Sequence, residues 1–175
     1  MKIQILHHQE LSASLKTAIL ELCCDAYEED FTPYLAELGN AMHVLGFEDD
    51  ELRAHAAWVE RELRLGKDRV AMKCAYIEAV AVPIEHQSRG LGSQIMQALP
   101  AHLSDFEIAA LSPSEPDFYA RSGWEMWQGK LAYLKGRKRI ATPDEKVMIY
   151  RLPHAPTTLS LYQDLETDWR PCDVW

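Results

Sequence analysis

Between an apolar run, Tyr76–Val82, and a helix-like pattern, Ser93–Leu103, the chain reads His86-Gln87-Ser88-Arg89-Gly90-Leu91-Gly92. A strand, a glycine-rich turn and a helix in that order can hold a pyrophosphate. Glycine lets the backbone approach an anion closely, and the first-turn amides of the following helix point at it. The amides of Gln87, Ser88, Arg89, Gly90, Leu91 and Gly92 are the candidates for that contact, with Arg89 adding positive charge. Gly-x-Gly-x-x-Gly is absent, so this is not a Rossmann dinucleotide loop, and no Gly-Lys-Ser/Thr closes it as a P-loop would. A plain strand-to-helix turn is the competing reading.

The strand before the loop carries a second chemical signal. Glu78 sits in Tyr-Ile-Glu-Ala-Val-Ala-Val, where a carboxylate costs several kcal/mol unless it is paired or faces a cleft. By alternation it shares a face with Val80 and Val82. A proton-accepting role in a cleft and an ion pair with Arg61 or Arg69 both fit. The four cysteines (Cys23, Cys24, Cys74, Cys172) form no Cys-x-x-Cys, and the seven histidines form no two-ligand helical pair, so no metal is expected.

The elements that must position these residues are legible as alternating and helical patterns. Lys2–Leu6 reads as an edge strand. Leu11, Leu15, Ala18, Ile19 and Leu22 recur at helical spacing, which predicts a helix over Ser12–Tyr27 with Ser12 or Ser14 as its cap. An acidic loop ends at Phe31-Thr32-Pro33, and a short helix runs to Leu38, stopped by Gly39-Asn40. Met42–Phe47, Leu52–Leu65 and Arg69–Val82 are predicted as long strands joined by turns at Glu48–Asp50 and Gly66–Asp68. A helix over Leu91–Leu103 follows. Next come a strand Phe106–Leu111, a short helix Glu115–Ser122 and strands Trp124–Trp127, Lys130–Lys135 and Val147–Leu152. The basic cluster Arg137-Lys138-Arg139 is left unassigned, a solvated loop being one reading, and the tail Thr157–Trp175 closes the chain without an obvious linker. The fold class is α+β, with a mixed, mostly antiparallel sheet flanked by helices, and residues 1–175 read as one domain.

At 175 residues and 47% hydrophobic, the chain has enough apolar matter for one sizeable core. No apolar run approaches the roughly 20 residues that cross a bilayer. The start lacks a secretory pattern, so the expected location is cytoplasmic. A net charge of −9 disfavours nucleic acid and favours a cationic ligand. A membrane partner is not expected.

The loop, the strand before it and the later block Asp117-Phe118-Tyr119-Ala120-Arg121-Ser122-Gly123-Trp124 together resemble the GNAT superfamily of acetyl-CoA-dependent N-acetyltransferases. The resemblance implies acetyl-CoA as co-substrate, its pyrophosphate on Gln87–Gly92. Val80, Ala81 and Val82 would pair with pantetheine as though it were another strand. A bulge there would splay the strand from its neighbour and free an amide for the thioester oxygen. It further implies Glu78 as base for the amine, through water where needed, and Tyr119 as acid for the departing thiolate. The phenol's reference pKa of about 10 lies above the roughly 8.5 of a thiol, so the proton is lent rather than lost. For Tyr119, plain aromatic packing between helix and sheet is the alternative.

The C-terminal Asp168-Trp169-Arg170-Pro171-Cys172-Asp173-Val174-Trp175 is similar to the tail of the aminoglycoside 2′-N-acetyltransferases. Ala26–Thr32, Met42-His43, Ala110–Ser112 and Thr142–Glu145 resemble other blocks of that family. This implies Asp30, Glu145 and Asp173 as ligands for substrate ammonium groups, with Ser112 at the acceptor cleft. Trp175 would bring its terminal carboxylate beside Glu78, at the 2′-amine, with the tail folded inward. The expected partner is a polycationic aminoglycoside, and acetylation would inactivate it and give resistance. The reading leaves open a homodimer, a different amine acceptor such as a polyamine or peptide, and a module that binds without turnover. Pro33-Tyr34-Leu35 stands where another acidic residue is common, and Asn40-Ala41 replaces a Gly-Gly pair. Both point to a changed acceptor pocket, with kasugamycin a candidate beside gentamicin-, tobramycin- and kanamycin-like drugs.

Overall fold

The structure, a computed structural model, describes residues 1–171 and 174–175. These fall into two compact units, one of residues 1–59 with 77–102 and the other of residues 60–76 with 103–175. Two long strands, β3 (Glu51–Leu65) and β4 (Val70–Ala81), contribute residues to both.

The first unit begins with strand β1 (Lys2–His7), helices α1 (Ala13–Tyr27) and α2 (Thr32–Glu37), and strand β2 (Met42–Glu48). Strand β1 pairs antiparallel with β2 (Ile5 opposite Val44), and β2 with β3 (Leu45 opposite His55). Asp49 and Asp50 close the β2–β3 hairpin at φ 50° and 62°. Two consecutive left-handed residues are what a two-residue hairpin turn requires, and aspartate tolerates that region better than most side chains. Ser12 caps α1, its Oγ accepting the Leu15 amide at 3.2 Å, and the helix stops at Glu28 in the left-handed region. The apolar stripe of α1 (Ile19, Leu22, Cys23) packs with Phe31, Leu38, Leu45, Ala57, Ala79 and Ala81 into one buried cluster. Helix α3 (Leu91–Ala98) is shorter than the pattern predicts: Leu99–His102 tightens into a 3-10 turn. Pro100 is the reason, since it lacks the N–H that an α-helical turn would donate.

The second unit holds β5 (Ile108–Leu111), α4 (Pro116–Ala120), β6 (Glu125–Met126), β7 (Leu131–Lys135), β8 (Lys138–Ala141), β9 (Met148–Arg151) and β10 (Leu165–Asp168). Its strands run in the order β6-β9-β5-β4-β3-β10-β7-β8. Strands β4–β5 and β10–β7 are parallel, whereas β10–β3, β5–β9, β6–β9 and β7–β8 are antiparallel. The sheet is mixed and mostly antiparallel, as predicted.

Two strands add to the sequence reading. The basic cluster left unassigned enters a strand: Gly136 turns at φ 62° and Lys138–Ala141 pairs with β7 as β8. The tail, where no element is predicted, inserts Leu165–Asp168 as β10 between β3 and β7. A strand reading Leu-Glu-Thr-Asp looks polar. Its buried Glu166 is held by Arg69 (3.0 Å) and by a short contact from Arg139, so both strands share one ionic knot.

Candidate functional site

In the first unit, β4 arrives extended and kinks at Ala79, whose φ of 50° places a non-glycine residue in the left-handed region. That conformation costs an alanine roughly 1–2 kcal/mol, so the surroundings must hold it. Burial alternates around the kink: Ile77, Ala79 and Ala81 are buried, while Glu78 and Val80 are half-buried. Tyr27, at the end of α1, donates its hydroxyl to the Val80 carbonyl at 3.0 Å. Gln87 reaches back with Nε2 to the Val82 carbonyl at 3.2 Å. Two acceptors of the strand end are thus engaged by side chains, and Tyr27 is a neighbour that the sequence reading did not single out. It lies in the Ala26–Thr32 block of the resemblance, but an aromatic in the last turn of a helix has no role that its type and spacing alone would assign.

After Pro83 the chain makes one 3-10 turn (Ile84–His86) and enters the loop. Ser88 and Gly90 both have positive φ, 61° and 82°, and Gly90 opens α3 with no side chain capping it. A Cβ on Gly90 would meet nothing within 4 Å, so the space above the helix start is open. Exposed amides at an uncapped helix N-terminus after a left-handed pair fit a pyrophosphate. Gln87, Ser88, Arg89 and Gly90 are exposed, Leu91 buried and Gly92 half-buried. The Arg89 guanidinium lies 3.0 Å from Glu48 Oε2 and 2.8 Å from His86 Nδ1. Any phosphate would share it with Glu48. Asp30 is exposed, and hydrogen bonding from Thr32, its side chain first and then its amide (3.0 Å to Oδ1), holds the Asp30 carboxyl below the usual range at the start of α2.

In the second unit, Ser112 is exposed immediately after β5. Tyr119 is buried on α4, edge-on to Phe118 and Trp124 (centroids 4.9 and 6.2 Å). Burial pushes its phenol up to about 12. A hydroxyl so firmly protonated can donate to a thiolate and will recover the proton readily. Trp175 is 1% exposed, and its indole N–H donates to Thr142 Oγ1 at 2.9 Å. Glu145 is exposed on the same turn, its amide bonded to the Thr142 carbonyl at 3.2 Å. Trp175 and Glu145 are therefore brought to one short segment. Arg61 ties the end down from the other side, donating to the Val174 carbonyl (2.7 Å) and to Thr167 Oγ1 (2.7 Å). Asp173 lies outside the described residues.

Among the described residues no group of His, Cys, Asp or Glu is arranged to hold a metal ion. No helix among them is long and apolar enough to cross a membrane.

Comparisons with known proteins identify the family and the fold. Residues 8–127 match the family model described as an acetyltransferase (GNAT) domain. The chain is 32% identical over 180 residues to an aminoglycoside 2′-N-acetyltransferase of Mycolicibacterium fortuitum, covering 98% of this chain and 91% of that protein. Among solved structures, the GNAT N-acetyltransferase YhbS from Escherichia coli in complex with CoA superposes with a TM-score of 0.65 at 15% identity, over 95% of this chain and 90% of that one. A GCN5-related N-acetyltransferase from Kribbella flavida gives a TM-score of 0.56 at 21% identity over 74% of this chain. This chain spans only about a third (34%) of the Kribbella protein.

Proposed function

The chain belongs to the GNAT acetyltransferase family, and from that membership we propose that it acetylates the 2′-amine of an aminoglycoside antibiotic, using acetyl-CoA and so conferring resistance. The observation that carries this is the 32% identity to an aminoglycoside 2′-N-acetyltransferase along nearly the whole of both chains. The family match spans residues of both units, which favours treating residues 1–175 as one catalytic domain.

Acetyl-CoA, when bound, supplies an acyl carbon activated as a thioester. The amides of Gln87–Gly92 hold its pyrophosphate. Val80, Ala81 and Val82 align the pantetheine, and the Val80 N–H donates to the acyl oxygen as charge builds there. Asp30, Glu145, Asp173 and the Trp175 carboxylate bind ammonium groups of the drug, and Ser112 borders it. Glu78 accepts the proton of the 2′-amine at a carboxylate oxygen as the C–N bond forms. The C–S bond breaks as Tyr119 Oη gives its proton to the sulfur, and the phenol is reprotonated from solvent.

Helix α2 reads Thr-Pro-Tyr-Leu-Ala-Glu, with one carboxylate in six residues. An acceptor with fewer ammonium groups, kasugamycin, therefore belongs in the substrate panel beside gentamicin, tobramycin and kanamycin. Thiol release from acetyl-CoA is the test. Drug-dependent release supports the reading. Tight CoA binding with no release for any of the drugs, polyamines included, overturns it.

A further inference from the structure

Three histidines stand in single file in the first unit, and nothing in the acyl-transfer chemistry above uses them. His55, on β3 and 0% exposed, has Nδ1 2.8 Å from the Ala79 carbonyl. Its Nε2 lies 2.9 Å from Nδ1 of His43 on β2, which is 1% exposed. His43 Nε2 in turn lies 3.1 Å from Nδ1 of His8, just past β1. His43 and His55 are diagonal neighbours on one face of the hairpin, and successive rings tilt by 42° and 40°.

The carbonyl fixes every proton in the file. It has only lone pairs, so His55 Nδ1 must carry the hydrogen. Burial pushes the His55 imidazole down to about 4, so the ring is neutral and its Nε2 is bare. That nitrogen accepts from His43, whose Nδ1 therefore carries a hydrogen. Burial and the neighbouring His55, His8, His7 and Lys16 push His43 down to about 3, so its Nε2 accepts from His8. All three rings are Nδ1–H tautomers, and all three donors run the same way, toward Ala79.

The acceptor is the carbonyl of the residue at φ 50°, where β4 kinks. The Ala79–Val80 peptide is trans, so its C=O and the Val80 N–H point in opposite directions within one plane. Whatever holds the carbonyl inward aims that N–H outward.

We propose that His8, His43 and His55 are positioning residues for acyl transfer, a directional file that locks the Ala79–Val80 peptide so that the Val80 N–H meets the thioester oxygen. This rests on the acetyl-transfer reading of the same strand. His55 supplies the contact, His43 holds His55 in the tautomer that can make it, and His8 does the same for His43. An apolar residue at 55 would fill the space and release the peptide.

The test uses His55→Phe, His55→Asn and His43→Phe in the full chain. Asparagine places an N–H near the Nδ1 position, so it keeps the contact to Ala79 and guards against a variant that fails only by misfolding. Loss of one oriented donor predicts a fall in kcat of about 100-fold for His55→Phe. CoA affinity by calorimetry should stay within about threefold, because the pyrophosphate loop is untouched. His55→Asn should recover most of kcat. The infrared carbonyl band of bound, isotope-labelled acetyl-CoA gives a readout that needs no acceptor. It should be red-shifted in the wild type and His55→Asn, move toward the free-solution position in His55→Phe, and fall between in His43→Phe. Wild-type kcat and an unmoved band in a folded His55→Phe overturn the file alone. Equal losses of kcat and CoA affinity, unrescued by asparagine, make it a structural contact and also overturn it. A wild type that does not bind acetyl-CoA overturns the acetyl-transfer reading itself.

Discussion

Glu78 and Tyr119 are assigned opposite halves of one proton balance, and their substitutions should fail differently. Glu78→Gln removes the amine's acceptor and should lower kcat by about 100-fold or more while CoA affinity changes little. Tyr119→Phe keeps the ring packed against Phe118 and Trp124 and removes only the hydroxyl. It should slow thiolate departure, seen as a lower kcat with the acceptor KM unchanged. Steady-state kinetics with calorimetry for CoA decides both, and wild-type activity in either variant removes that assignment. A tryptophan is costly to leave in water, and Trp175 is 1% exposed. Trp175→Ala should cost about 3–5 kcal/mol in a urea titration. A loss below about 1 kcal/mol would mean that the tail does not pack as the Thr142 contact implies. The part Asp30 plays ahead of α2 was not legible in the sequence: only the structure shows its Oδ1 accepting the Thr32 amide.

At the scale of elements, long periodic segments were readable and short polar ones were not. The spacing in α1 and the alternation in β2, β3 and β4 place those elements to within a residue or two. Strand β8 escaped because it is short and mostly exposed, and β10 because one of its buried side chains is charged. Glu166, 6% exposed between Arg69 and Arg139, makes sense only once the three residues are adjacent in space. The histidine file escaped for a related reason. His43 and His55 look unrelated along the chain, and only the turn at Asp49-Asp50 makes them diagonal neighbours. The kink in β4 invites its own test. Ala79→Val puts a β-branched side chain at φ 50° in a buried position, and should destabilise the protein by about 2 kcal/mol or more in urea titration. Ala79→Gly should be neutral or slightly stabilising. If valine is tolerated as well as glycine, the left-handed conformation is not maintained in solution.

For the whole molecule, buried neutral histidines set a pH dependence. His43 and His55 are held down to about 3 and 4, whereas both would titrate near 6.5 in the unfolded chain. Between those values the unfolded state binds more protons, so stability is full above about pH 6.5 and falls as the pH drops toward 4. Each histidine contributes a slope of up to about 1.4 kcal/mol per pH unit. Urea midpoints at pH 7, 6 and 5 should decline steeply, and the decline should be shallower in His43→Phe. A flat profile over that range would mean that the histidines are not buried and neutral. The overall charge of −9 has a different consequence, favouring a cationic acceptor and making capture of it salt-sensitive.

The most direct measurement is the chemical identity of the product. The chain should be incubated with acetyl-CoA and, separately, with kanamycin, gentamicin, tobramycin and kasugamycin, and any product examined by mass spectrometry and NMR. The predicted result is a gain of one acetyl group on at least one drug, with the shift in resonance confined to the carbon bearing the 2′-nitrogen. Acetylation at a different amine, or of none of these drugs while another amine is acetylated, would contradict it.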